Sequence, residues 1–138
     1  MQVVVNLEVS AKEFYDLMIL SLQEELEKVN HRKYREEELS GIRYKKKSHT
    51  QHEHVKVHVG KLIKNKQYVN TFSVSELSTK VTYQLEETGP FSCKVTYIEE
   101  YSKQPRYSIL NPPSRRARKM IKACEKYIIE QRKSDTKN

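Results

Sequence analysis

Residues 67–101 read QYVNTFSVSELSTKVTYQLEETGPFSCKVTYIEEY, and their two-residue rhythm decides the fold. Tyr68, Asn70, Phe72 and Val74 share one face of a first segment. Val81, Tyr83 and Leu85 share one face of a second. After the turn signal Glu87-Thr88-Gly89-Pro90, the residues Phe91, Cys93, Val95, Tyr97, Glu99 and Tyr101 share one face of a third. Side chains two apart on a strand point the same way, so each run predicts a half-buried β-strand. The connections are too short for a crossover helix, and consecutive strands joined in this way form an antiparallel meander.

The meander extends upstream. Val55, Val57 and Val59 line one strand face, with Gly60 a bulge or bend, and Ile42, Tyr44 and Lys46 line the face before it. Lys64-Asn65-Lys66-Gln67 reads as the hairpin turn into the quoted stretch. At the amino end, over 2–9, Val3, Val5, Leu7 and Val9 share one face, with Gln2, Asn6 and Glu8 on the other. Ser10-Ala11-Lys12-Glu13 then matches a capping box, in which Ser10 accepts from an orphan amide and Glu13 reaches back. The helix so opened runs to about Asn30, with Phe14, Leu17, Met18, Leu22, Leu26 and Val29 on one stripe. A further helical turn is predicted at Arg35–Leu39, stopped by Ser40-Gly41. Downstream, 102–112 reads as a loop and Asn111-Pro112-Pro113-Ser114 as the start of a second helix. Ala117, Met120, Ile121, Cys124, Tyr127 and Ile128 form its apolar stripe. About twenty residues at about 1.5 Å each give a rod of about 30 Å, enough to lie across a six-stranded sheet.

The 138 residues fit one domain, expected over 1–132, with a polar, fraying tail at 133–138. The N-terminal residues lack the basic and apolar regions of a secretory leader, and no apolar run approaches the length of a membrane span. With Cys93 and Cys124 both on apolar stripes, a cytoplasmic protein with two reduced thiols is expected. The net charge of +8 is uneven. Residues 1–102 carry 15 Lys/Arg and 15 Asp/Glu, so the whole excess belongs to the C-terminal segment.

The chain resembles the helix-grip fold of the START-like (birch-pollen-allergen-like) superfamily, and more closely an uncharacterised bacterial domain-of-unknown-function family within it. The resemblance rests on the capped helix after an N-terminal strand, on Leu39-Ser40-Gly41-Ile42-Arg43-Tyr44-Lys45-Lys46, and on Val95-Thr96-Tyr97-Ile98-Glu99-Glu100. It covers nearly the whole chain. It implies an α+β fold in which a curved antiparallel sheet is gripped by the C-terminal helix, with a cavity between them for an apolar or amphipathic small molecule. The superfamily usually has seven strands where six are counted here. It carries over no catalytic residue, because the superfamily shares no catalytic motif.

The candidate pocket follows from strand parity. Tyr44, Tyr68, Tyr83, Tyr97 and Tyr101 would face inward beside Phe72 and Phe91, with Met120 and Cys124 opposite them on the terminal helix. Tyrosine supplies apolar area and a hydroxyl that needs a partner when buried, so these rings either line an open cavity or fill it. Lys46, Asn70 and Glu99 would be the polar handles. Glu99 is the sharpest of them, because a buried carboxylate must be paired or protonated, and a raised pKa would suit a general acid or base. A wet position at the sheet rim is the plainer alternative for Glu99.

His49, His52, His54 and His58 cluster, but the parity of His52, His54 and His58 is opposite to that of Val55, Val57 and Val59. They are expected to face solvent, with no metal centre, because a functional site needs a third ligand and outer support. No G-x-S-x-G turn, phosphate-cradling glycine loop or cofactor fingerprint is present. Arg115, Arg116, Arg118, Lys119 and Lys122 form a basic helix face that could meet an acidic protein, nucleic acid or membrane surface. No duplex-recognition motif accompanies it, which argues against nucleic acid. The leading expectation is therefore small-ligand binding. The interaction module comes second, and an enzyme using Glu99 and tyrosines third.

Overall fold

A computed structural model describes residues 1–47, 53–103 and 112–136. Chain order is β1 (Gln2–Leu7), α1 (Ala11–Asn30), a 3-10 turn (Glu36–Glu38), β2 (Arg43–Lys47), β3 (His54–Val59), β4 (Gln67–Val74), β5 (Leu77–Gly89), β6 (Ser92–Tyr101) and α2 (Pro113–Thr136). The six strands form one curved antiparallel sheet in the order β1-β6-β5-β4-β3-β2. The meander is therefore consecutive from β2 to β6, and β1 closes the far edge by pairing with β6.

Local chemistry fixes the ends of these elements. The capping box forms: Glu13 N donates to Ser10 Oγ at 3.1 Å, and Ser10 N donates to Glu13 Oε1 at 3.0 Å. It satisfies two of the amides that a helix start leaves unpaired. At the other end His31 turns left-handed (φ 56°), and its N–H donates to Glu27 O. Gly41, at φ +82°, takes the left-handed turn that leads into β2 and that a side chain would strain. β1 stops at Leu7, short of the expected Val9, which is fully buried in the connection to the helix cap. α2 continues helically to Thr136, past the expected boundary at Arg132.

The core lies between the inner sheet face and the two helices. Val3, Val5, Val57, Val59, Leu85 and Val95 come from the sheet, and Ala117, Ile121 and Ile128 from α2. In α1 the buried line is Ala11, Tyr15, Ile19, Leu22 and Leu26, with Phe14 beside it. Leu17, Met18 and Val29, expected in the same stripe, are only partly buried. The apolar surface of α1 is thus wider than the core requires, and its surplus becomes the wall of a cavity.

α2 packs chiefly against β1 and α1 rather than spanning all six strands. Its polar side chains close the free edge of β1. Arg118 Nη1 donates to Val4 O at 3.2 Å, Lys122 Nζ donates to Asn6 O at 3.4 Å, and Glu8 N donates to Glu125 Oε2 at 2.7 Å. Every second residue of the strand meets one turn of the helix, so edge groups that would otherwise invite another strand are occupied. Among the described residues, no helix is long and apolar enough to cross a membrane.

Candidate functional site

A cavity of about 740 Å³ opens where α1 and α2 diverge above β4, β5 and β6. The sheet supplies its floor through register. Tyr68, Tyr83 and Tyr97 lie directly opposite one another across three strands, and Asn70 and Val81 form the adjacent row. The rings interlock. Tyr83 meets Tyr97 edge-on with centroids 5.0 Å apart and Tyr68 at 5.9 Å, while Phe14 of α1 lies 6.2 Å away. These edge-to-face contacts fix the rings and leave space above them. Open cavity and tyrosine packing therefore coexist here.

The wall is more apolar than polar. α1 contributes Leu17, Met18 and Leu20, and α2 contributes Met120, Cys124 and Tyr127. Leu20, Met120 and Tyr127 remain 48%, 41% and 49% exposed, which marks the mouth. Tyr83 Oη points toward Met120 Sδ at 3.8 Å, a weak contact that spans sheet and helix. Asn70 Nδ2 donates to Tyr68 Oη at 3.2 Å. Burial pushes the Tyr68 hydroxyl up to about 12 and those of Tyr83 and Tyr97 well above the usual phenol range. All three are protonated hydrogen-bonding groups at neutral pH.

Several expected residues lie elsewhere. Phe91 does not face the pocket: it is 69% exposed, with the Arg132 guanidinium 5.5 Å from its ring centroid. The β5–β6 register shifts between Glu87 and Gly89, and Phe91 falls in the turn beyond the paired residues, where parity no longer applies. Tyr44 is buried but outside the cavity, its hydroxyl bonded to Glu25 of α1. Lys46 Nζ pairs with the other oxygen of Glu25 at 2.9 Å and lies 5.6 Å from the centroid of the Phe72 ring. These two residues tie β2 to α1, whereas Phe72 does line the cavity.

Glu99 is neither free nor in the cavity wall. Its Oε1 accepts from Tyr97 Oη at 2.5 Å, and its Oε2 accepts from the Tyr101 hydroxyl. Both oxygens are thus occupied by phenols from its own strand. The cavity residues missing from the predicted pocket are Leu17, Met18, Leu20, Ser21 and Glu24 of α1, Val81 of β5, and Ala123 and Tyr127 of α2. Leu17, Leu20, Ser21 and Glu24 recur at intervals of three or four, which is the signal that could have found them.

Of the histidines, His54 is exposed and His58 half-buried on the outer sheet face, while His49 and His52 lie outside the described residues, as does Asn111. Among the described residues no group of three or more His, Cys, Asp or Glu could hold a metal ion. Cys93 and Cys124 are free thiols, the first buried and the second half-buried at the cavity. The basic helix face is partly committed, because Arg118 and Lys122 hold the β1 edge. Arg116 and Lys119 are exposed.

Comparison with known proteins gives a consistent picture of the fold. Ara h 8.0201 superposes with TM-score 0.60 at 12% identity, over 94% of this chain and 97% of its own. Norcoclaurine synthase from Thalictrum flavum superposes with TM-score 0.58 at 12% identity, over 94% and 86%. A START superfamily protein from Mycobacterium smegmatis gives 0.51 at 15% identity, over 96% and 94%. No curated protein matches the sequence. The family model described as domain of unknown function DUF3284 matches residues 1–111. The strand, capped helix and complete meander all fall within that match, so the chain belongs to the DUF3284 family, and its fold is a helix grip like that of the solved structures just described.

Proposed function

We propose that this protein binds a small apolar or amphipathic molecule in the cavity between α1, α2 and the inner sheet face. The observation that carries this reading is the cavity itself: about 740 Å³, walled by leucine, methionine and aromatic side chains. Small-molecule sites are concave, mostly apolar and provided with a few placed polar groups. Here the polar groups are the hydroxyls of Tyr68 and Tyr83 and the Asn70 amide. The ligand's apolar body would replace water against the exposed rim of Leu20, Met120 and Tyr127, where each Å² covered contributes about 25 cal/mol.

The interaction module of α2 is the weaker reading, because at least two of its five candidate cations, Arg118 and Lys122, are used within the fold. An enzyme built on Glu99 is weaker still, since both carboxylate oxygens already accept from tyrosines. Native mass spectrometry of protein purified from its own host tests the first reading. A co-purified small molecule is expected for the natural chain and should be lost from an Ala123→Trp variant, which fills the mouth from an exposed helix position. Equal loading of both proteins would refute the cavity as the site.

A further inference from the structure

The balance of charge over residues 1–102 conceals a segregation. Residues 43–66 hold eight lysines and arginines against Glu53 alone. Pairing of β2 with β3 places their outward side chains opposite one another as Arg43 with His58, Lys45 with Lys56, and Lys47 with His54. Every cross-strand pair on this face joins two basic residues. Tyr44 and Val57 are buried on the other side, and Arg43, Lys45, Lys47 and Lys56 are exposed. None of those four has an ion pair with another described residue, whereas inward-leaning Lys46 has Glu25. The rows continue into hydroxyls: Lys56 stands opposite Ser73, and His58 opposite Thr71. Arg43, Lys45, Lys56, His58, Thr71 and Ser73 border a depression of about 390 Å³, separate from the cavity on the inner face.

Charged side chains on β2 alone could serve only to keep an edge strand from pairing with another chain. Lys56 needs a different reason, because β3 is interior to the sheet. Like charges directly opposite on a sheet are destabilising, so Lys45 facing Lys56 lowers stability without helping the edge. An anionic partner on this face would offset that repulsion.

We propose that the outer face of β2, β3 and β4 binds the phosphodiester backbone of nucleic acid without reading its sequence. The chemistry favours this partner. Cations two apart on a strand are spaced at about 6.6–6.8 Å. Such a row sets a line of positive charge against a backbone that carries one negative charge for about every 3.4 Å of axis on each strand. Serine and threonine hydroxyls beside them are further donors to phosphate oxygens. Among the described residues, no exposed large hydrophobic side chain lies on this part of the sheet to enter a bilayer, and no exposed aromatic ring lies there to stack on a base. The site is independent of ligand binding in the inner cavity.

Fluorescence anisotropy with a labelled 20-base-pair duplex of arbitrary sequence tests it. Four cations each neutralising one phosphate give a slope of log K against log salt near −3.6, at about −0.9 per contact. Affinity should then fall about 150-fold from 50 to 200 mM salt. Lys45→Gln with Lys56→Gln should bring the slope near −1.8 and weaken binding at least tenfold at 50 mM. The same double variant should unfold at equal or higher urea concentration, which separates lost binding from lost fold. Arg116→Glu with Lys119→Glu on α2 should change neither slope nor affinity. Three results would overturn the proposal: no duplex binding at 50 mM, a slope unmoved by the Lys45/Lys56 substitutions, or tighter binding to phosphatidylserine vesicles or poly-glutamate than to the duplex.

Discussion

Removing the carboxylate of Glu13 should cost this fold stability in a way that disappears in acid. Glu13 serves two elements: its Oε1 accepts from Ser10 N in the capping box, and Arg132 of α2 grips both oxygens, with Nε to Oε2 at 2.6 Å. The Arg132 bond, assisted by those from Ser10 and opposed by burial, holds the carboxyl at about 2 rather than near 4.5. At about 1.36 kcal/mol for each tenfold change in proton affinity, that depression corresponds to a ceiling of about 3.4 kcal/mol. The two side chains are 34% and 29% exposed, so solvent screening reduces the contribution to about 1–2 kcal/mol. Because the folded-state pKa is lowered, the stabilisation is complete above the unfolded value near 4.5 and is lost as pH falls toward 2. Glu13→Gln keeps an oxygen for Ser10 but removes the charge. Urea unfolding at pH 7 should show the variant about 1–2 kcal/mol less stable than the natural chain, and the gap should close between pH 4.5 and 2. Arg132→Met should give a similar loss, and the double variant little more. A gap that persists at pH 2, or single-variant losses that add in full, would refute a coupled Glu13–Arg132 contact.

Arg118→Met with Lys122→Met should expose the carbonyls of Val4 and Asn6 on the β1 edge. These contacts are solvent-exposed, so the expected cost is below about 1 kcal/mol each, but concentration-dependent association by light scattering should rise. Cys93 is 1% exposed, and burial pushes its thiol up to about 11, so it should resist a thiol-reactive disulfide reagent until the chain unfolds. Cys124, half-buried at the cavity, should react first, and faster labelling of Cys93 in the native protein would contradict the packing. Leu26→Ala, at a fully buried position of α1, should cost about 2–5 kcal/mol in urea unfolding, and a loss below about 1 kcal/mol would mean that α1 is not held as described.

The amino-acid sequence by itself determined the elements and their inner faces. Alternation in β4, β5 and β6 predicts which side of Tyr68, Tyr83 and Tyr97 turns inward, because side-chain direction on a strand depends only on parity. Ser10 and Glu13 predict the start of α1, because a capping box is a contact between residues three apart. Parity failed at Phe91, where a shift in register ended the strand that the alternation assumed. Tertiary structure alone decided the rest. Glu25 became the partner of Tyr44 and Lys46, and Tyr97 and Tyr101 occupied Glu99, because hydrogen bonds depend on where side chains meet. α2 was long enough to cross the sheet, yet it settled along β1, where Arg118, Lys122 and Glu125 match the unpaired edge. That placement leaves the inner face of β4 and β5 uncovered between the helices, and so makes a cavity of what could have been core. The pairing of Lys45 with Lys56 is likewise a matter of register: each residue reads as an ordinary surface lysine until β2 and β3 bring the two together.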